Sequence, residues 1–392
     1  MDYYKESVKL HKKIKGKLDI VSSTPVETKE DLSLIYSPGV AGPCLEIAEN
    51  PEAAYDLTIK GRTVAVISDG SAVLGLGNIG AKAAIPVMEG KAALFKKFAG
   101  LNAFPICLDT QDTEEIIQTI RYIAPVFGGI NLEDFSAPRS FEIEQRLQDL
   151  GIPVFHDDQH GTAIVTLAGL INACKVLGKN LSELNIVVNG AGAAGIAITN
   201  LIRCHSHDHE HVDACIAVRS VIVCDSKGII SKDRTNLTPV KEKLLGYTNI
   251  QNKSGSLLDA MKDADVFIGV SKGNLLTQEH ISQMADNPVV FALANPDPEI
   301  MPDKALEYGV AIIATGRSDY ANQVNNVLAF PGIFKGALQI RASQITTKMK
   351  IAAANAIADC EPNPTMTSII PNALNLEIAD KVAEAVINNY EH

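Results

Sequence analysis

Asn189-Gly190-Ala191-Gly192-Ala193-Ala194-Gly195-Ile196-Ala197 is the stretch on which the fold turns. Residues 190–195 fit GxGxxG. They follow a short apolar run, Leu184 to Val188, and open an apolar helical pattern, Ile196 to Ile202. Strand, glycine turn and helix in that order form a dinucleotide fingerprint. The glycines allow a tight turn and close backbone approach, and the helix N-terminus offers free N–H groups and a positive dipole end to a pyrophosphate. Gly190, Ala191, Gly192, Ala193, Ala194 and Gly195 are therefore candidate cofactor contacts. The next β-branched run, Ser220 to Cys224, ends at Asp225, a carboxylate that can accept bonds from the adenine ribose hydroxyls.

A second match, Gly75-Leu76-Gly77-Asn78-Ile79-Gly80, competes with the first. Here Ser68 to Leu74 separates the strand from the glycines, and Pro86 interrupts the helical pattern that follows. The local reading favours Gly190–Gly195 for the dinucleotide and leaves Gly75–Gly80 as a loop shaping a pocket.

Outward from these motifs the chain alternates. Thr63–Ile67, Ala103–Leu108, Val126–Ile130 and Pro153–Phe155 read as strands in the first half. Val266–Val270, Val289–Leu293 and Ala311–Ala314 join 184–188 and 220–224 in the second. Helical patterns lie between them at Lys91–Phe98, Thr113–Ile123 and Ser140–Leu150, and alanine-rich ones follow position 335. Short apolar runs separated by helices predict an α/β fold with mostly parallel sheets buried on both faces. Residues 1–25 read as a lysine-rich helix, and the prolines and glycines of 36–43 as a loop.

The chain has 392 residues, 46% hydrophobic and 21% charged, with a net charge of −11. Its length suits two domains, and its acidity argues against nucleic acid as a partner. The seven cysteines form no CxxC pair and read as reduced thiols. The N-terminus lacks the apolar core of a signal peptide, and no apolar run reaches the length of a membrane span, so the expected location is cytoplasmic, with no membrane partner.

Acidic pairs follow two of the expected strands: Glu133-Asp134, and Asp157-Asp158 after His156. The carboxyl ends of parallel strands share one rim. Carboxylates gathered there repel one another unless a cation lies between them, and all-oxygen ligation suits Mg²⁺ or Mn²⁺. Read one at a time, such pairs are more often helix caps or solvated acids than metal ligands. Lys91, Tyr36, Asn295 and Asn326 carry no local sign that separates a site residue from a solvated or capping one.

Taken together, YSPGVAGPC (36–44), SDGSAVLGLGNIG (68–80), PVMEGKA (86–92), NLEDF (131–135), FHDDQHGTA (155–163), NGAGAAGIA (189–197), ALANPDPE (292–299) and NNVLAFPGI (325–333) resemble the malic enzyme family in its compact bacterial form. The resemblance implies Tyr36 as proton donor, Lys91 as proton acceptor, and Glu133, Asp134 and Asp158 as metal ligands. It implies Asp157 as a close support of the lysine, with Asn295 and Asn326 near nicotinamide and substrate. It assigns the dinucleotide to Gly190–Gly195. The implied architecture is a substrate and metal domain over 1–160, a Rossmann domain over 161–325, and a helical segment over 326–392 packing back on the first. The implied reaction is oxidative decarboxylation of malate to pyruvate with NAD, NADP also being possible, in a homodimer.

Two departures stand out. Larger members place an arginine in the DGxx segment, where this chain has Ser71-Ala72, and the histidine-rich His205–His211 matches nothing in the family. Other readings remain open from sequence: a malolactic or oxaloacetate-decarboxylating variant, a non-catalytic dinucleotide sensor, and an amino-acid dehydrogenase of the same architecture.

Overall fold

The apolar runs build two parallel sheets. The structure is a computed structural model that describes residues 2–73, 75–205, 217–235 and 237–391. The first sheet holds β1 (Thr63–Ser68), β2 (Asn102–Cys107), β3 (Gly129–Leu132) and β4 (Val154–His156), in the order β2-β1-β3-β4. All its pairings are parallel. The second holds β5 (Asn185–Asn189), β6 (Ser220–Asp225), β7 (Gly228–Ile229), β8 (Val266–Gly269), β9 (Val289–Ala292) and β10 (Ile312–Thr315), in the order β10-β9-β8-β5-β6-β7. Only the short β7 is antiparallel. Strand order reverses at β5, and in open α/β sheets ligands bind beyond the carboxyl ends at such a point.

The helix Asp157–Leu177 leaves β4 directly and packs on the helices Ala193–Ile202 and Thr347–Asp359. By length and apolar composition it would pass for a membrane span, which corrects the expectation that no such run exists. In the fold, 72% of its apolar window is buried, so it is a core helix. Near the C-terminus, Gly332 and Gly336 let the helix Phe330–Gln339 lie against the helix Glu377–Asn388. A Cβ at either glycine would sit 2.6 Å from that neighbour. Phe330 and Phe334 meet Phe95 edge-on, with ring centroids 4.7 and 5.4 Å away, and Phe334 also meets Phe155.

Several boundaries differ from the sequence reading. The first helix is Tyr3–Ile14 and stops at Lys15 and Gly16, both in positive-φ conformations. The helix bearing Lys91 is Ala81–Leu94. It begins at the Gly80 cap, runs through Pro86 and passes into a π turn at Phe95–Ala99. Its alanine-rich first turns outweigh the single backbone bond that proline removes. β3 lies later than the expected 126–130 because Ala124–Val126 forms a 3₁₀ turn. Cys204 is disulfide-bonded, which corrects the all-reduced reading, while Cys44, Cys107, Cys174, Cys224 and Cys360 are free. Of His205–His211, only His205 is described; it stacks on Tyr247 with centroids 4.0 Å apart, and 206–211 lie outside the described residues.

Candidate active site

The parallel register of the first sheet brings its strand ends to one rim. Beyond β3 lie Glu133 and Asp134, and beyond β4 lie Asp157 and Asp158. Glu133 N–H still bonds to Ile67 O at 2.9 Å, so the ladder holds that residue in place. Asp134 has φ +58, a left-handed conformation uncommon outside glycine, although aspartate tolerates it better than most residues. Its backbone N–H donates to Asp158 Oδ2 at 2.8 Å, which ties the two strand ends together.

Carboxylate oxygens of Glu133, Asp134 and Asp158 lie within 4.8 Å of one another. Glu133 and Asp134 are buried, and Asp158 is the member open to solvent. Asn131 Nδ2 donates to Glu133 Oε2 at 3.0 Å and fixes its orientation. Burial pushes the Glu133 carboxyl well above the usual range; Lys91 pulls it back, and Asp158, Asp157 and Asp134 push it further up. Three hard oxygen donors held this closely against their own repulsion match the ligand set of Mg²⁺ or Mn²⁺.

Lys91 projects from its helix into the same cluster. Its Nζ lies 2.5 Å from Asp157 Oδ2 and 2.9 Å from Glu133 Oε1, with 11% of its side chain exposed. It also lies 4.4 Å from the Phe330 ring centroid. Burial drives its pKa down, but Asp157 and Glu133 outweigh burial and hold the amine as an ammonium. Asp157 is fully buried. Asn326 Nδ2 donates to its Oδ2 at 3.1 Å, and Thr162 Oγ1 donates to Asn326 Oδ1 at 3.2 Å. The structure therefore brings together Lys91, Glu133, Asp134, Asp157, Asp158 and Asn326.

Asn295 is exposed just past β9 of the second sheet. A Cβ at Gly75 would lie 2.6 Å from its carbonyl oxygen, so the Gly75–Gly80 loop closes directly on Asn295. Tyr36 is not brought into the cluster. It is 69% exposed, and among the described residues its ring and hydroxyl have no partner.

The dinucleotide fingerprint sits where β5 meets the helix Ala193–Ile202, which begins at Gly192. Gly190 has φ +123, and a Cβ at Gly195 would lie 1.8 Å from Gly190 O, so both positions require glycine. A cavity of about 740 Å³ runs from Asn189, Gly190 and Ala191 to Asp225, Lys227 and Lys241. Asp225 ends β6 as expected, but its carboxylate is already engaged. Arg234 contributes bonds of 2.9 and 3.0 Å and Lys241 one of 2.7 Å, and the Lys227 N–H adds another. Although burial works against it, these donors hold the carboxyl well below its usual range.

Some contributors carry no local signal. Arg139 donates to Asp69 Oδ2 at 2.8 Å and to Ser71 Oγ at 3.1 Å, so an arginine does reach the DGSA segment, from 68 residues down the chain. Glu299 is buried and accepts from Ser271 N–H and Ala294 N–H at 3.1 and 3.0 Å, clamping the ends of β8 and β9. The PDPE motif contains Glu299, but nothing in it announces the clamp.

Comparison with known proteins gives the same picture. Residues 15–148 match the family described as malic enzyme, N-terminal domain, and residues 159–390 match malic enzyme, NAD binding domain. The chain is 53% identical to a bifunctional malic/malolactic enzyme of Bacillus subtilis, over 98% of this chain and 92% of that one. It is 55% identical to an NAD-dependent malic enzyme of Geobacillus stearothermophilus, over 95% and 76%. An NADP-dependent malic enzyme of Escherichia coli is 50% identical over 88% of this chain and 44% of its own. Among solved structures, the NAD-dependent malic enzyme of Thermotoga maritima superposes with TM-score 0.91 at 48% identity, covering 98% and 99%.

Proposed function

Since the chain belongs to the malic enzyme family, we propose that its carboxylate–lysine cluster carries out the oxidative decarboxylation of malate to pyruvate and carbon dioxide with a nicotinamide dinucleotide. The observation that carries this reading is the convergence of Glu133, Asp134 and Asp158 beside a buried lysine bonded to Asp157.

Glu133, Asp134 and Asp158 would hold a divalent cation. When bound, the cation supplies a Lewis acid for the substrate's C2 oxygen and a clamp for its carboxylate, and the nicotinamide accepts the hydride. Lys91 stands where it can take the C2 hydroxyl proton and pass it to Asp157. Its ammonium is held partly by Glu133, so turning Glu133 toward a cation weakens one of the charges that keep the amine protonated. Asn326 keeps Asp157 aimed at Lys91, and Asn295, beside the Gly75 loop, is the candidate contact for nicotinamide and substrate. Tyr36 is the candidate donor of the proton that C3 requires after carbon dioxide leaves.

NAD is the proposed partner, with NADP accepted. Asp225, at the end of β6, is the candidate reader of the adenine ribose, yet Arg234 and Lys241 already balance its charge, which weakens the repulsion of a 2′-phosphate. The proposed assembly is a homodimer.

The test is dinucleotide reduction with malate, with Mn²⁺ and with chelator, alongside a pyruvate assay. Metal-dependent reduction matched by pyruvate is expected. Lys91→Ala should lower turnover by roughly 10²–10⁴-fold, the usual contribution of a general base. A second reading, malolactic conversion, draws on the name of the Bacillus subtilis relative. Lactate formed without net dinucleotide reduction would favour it.

A further inference from the structure

Glu299 is 0% exposed, and among the described residues no cation pairs with it. Two backbone donors hold its carboxylate instead. Ser271 N–H donates to Oε1 at 3.1 Å, and Ala294 N–H donates to Oε2 at 3.0 Å. Desolvating a carboxylate is costly, and two converging N–H groups need a side chain with two acceptor oxygens. The space fits this group closely, since a Cβ at Gly269 would lie 2.3 Å from the Glu299 carboxyl carbon. The backbone adds to the joint. Asn274 N–H donates to Pro298 O at 2.9 Å, and Leu275 and Leu276 N–H donate to Glu299 O at 2.8 and 2.9 Å. A Cβ at Gly273 would meet Asp297 O at 2.5 Å. The segments past β8 and β9, 270–276 and 294–299, therefore form one unit built around Glu299.

This unit borders the cavity proposed for the dinucleotide. Ser271, Lys272 and Leu275 line that cavity together with Asn189, Gly190 and Ala191. Asn189 Nδ2 donates to Ser271 Oγ at 2.7 Å. A Cβ at Gly190 would lie 2.8 Å from Val270 O, so the glycine turn rests on the same segment. On the other side of the joint, Ala294 precedes Asn295, whose carbonyl oxygen the Gly75 loop approaches. We propose that Glu299 is a positioning residue for the dinucleotide: by accepting from Ser271 and Ala294 it fixes the cavity wall and Asn295 in the arrangement that receives the cofactor. Glu299 itself is sealed from the cavity and acts only through these two N–H groups. The inference rests on the reading of this cavity as the dinucleotide site. A glutamine in its place would keep the shape but offer one acceptor oxygen, and its NH₂ would oppose the second N–H, donor against donor. The wall would then lose one of its two fastenings without losing volume.

The experiment is a fluorescence titration of NADH into the full chain and into Glu299→Gln, without malate or metal. The parent should bind NADH, and the Kd of the variant should be roughly tenfold higher, the loss that goes with one charged hydrogen bond. In steady state, KM for NAD should rise by a similar factor, while KM for malate at saturating NAD stays near that of the parent. A merely structural role would lower the melting temperature and leave the Kd of the folded variant unchanged, and that outcome overturns the proposal. Equal rises in both KM values overturn it too, because the damage is then general. A parent that does not bind NADH overturns the reading of the cavity itself, a failure distinct from that of Glu299. If Glu299→Gln does not fold, hydrogen exchange of the parent decides. NADH should slow exchange in 270–276 and 294–299 together, since one carboxylate joins them. Protection that reaches only one of the two segments, or neither, overturns the proposal.

Discussion

Asp157 is the most constrained side chain of the site. One oxygen takes Lys91 and Asn326, and the other lies where a Cβ at Gly161 would approach to 1.9 Å. Gly161→Ala therefore has to displace the carboxylate that holds the lysine. Its expected cost is turnover, with a stability loss of about 1–3 kcal/mol from overpacking. Steady-state kinetics and thermal unfolding measure both, and unchanged kinetics would show that Asp157 does not position Lys91. Lys350 poses the opposite case. It is 8% exposed, and among the described residues its ammonium has no hydrogen-bond or ion-pair partner. Burial pulls its pKa down to about 8, with Glu144 opposing. The unfolded chain, at the ordinary lysine value near 10.5, binds the extra proton more readily, so stability rises as pH climbs from about 8 toward 10.5. Below about 8 the full penalty is present, roughly 3 kcal/mol. Lys350→Met should therefore melt higher than the parent at neutral pH, and the gap should shrink as pH approaches 10.5. A pH-independent gap would mean that the amine is not the source.

At the scale of elements, the carboxyl ends of the strands do the chemical placing. β6 ends at Asp225, and the neighbouring cations decide what that carboxylate can refuse. Lys241 bonds to Asp225 at 2.7 Å on the wall of the cofactor cavity, where a 2′-phosphate could replace the carboxylate as its partner. Lys241→Ala should raise KM for NADP by roughly tenfold, the worth of one charged hydrogen bond, and leave KM for NAD less affected. Equal changes for both cofactors would place Lys241 away from the 2′ position. Strands and the residues just past them were the legible part of the sequence. A strand buried on both faces, as all of β1 is, shows as an unbroken apolar run, and Glu133, Asp134, Asp157 and Asp158 follow such runs directly. The glycine pattern at 190–195 was legible because the constraint it meets, Gly195 against Gly190 O, lies within the motif. Contacts made through space were not legible. Arg139 on Asp69, Arg234 on Asp225 and Asn326 on Asp157 join residues whose local sequence carries no trace of the partner. The helix through Pro86 was missed because local breaking signals were outweighed by its alanine-rich start.

For the molecule as a whole, the chain passes from the first sheet to the second through a core helix, and the acid cluster lies at its first turn. Asp157 and Asp158 begin the helix Asp157–Leu177, whose far surface packs under the second sheet, with Gly169 against Phe291 of β9. A chain of net charge −11 that gathers Glu133, Asp134, Asp157 and Asp158 around one ammonium carries uncompensated repulsion at the joint between its halves. A divalent cation held there would relieve repulsion present only in the folded state, so cation binding and global stability are linked. At about a hundred times its Kd, the cation should stabilise the fold by roughly 2.7 kcal/mol, seen as a rise of a few degrees in melting temperature with Mn²⁺ and its loss with chelator. Glu133→Gln separates this linkage from a general ionic effect. It removes one ligand charge, and its uncharged amide remains beside Lys91. The variant should melt at least as high as the parent without metal, because a buried carboxyl whose charged form is disfavoured has been neutralised. It should gain little when Mn²⁺ is added. If Mn²⁺ raised both melting temperatures equally, the cation would be acting elsewhere on the acidic surface, and the three carboxylates would be held by protein groups such as Lys91, Asn131 and the Asp134 N–H.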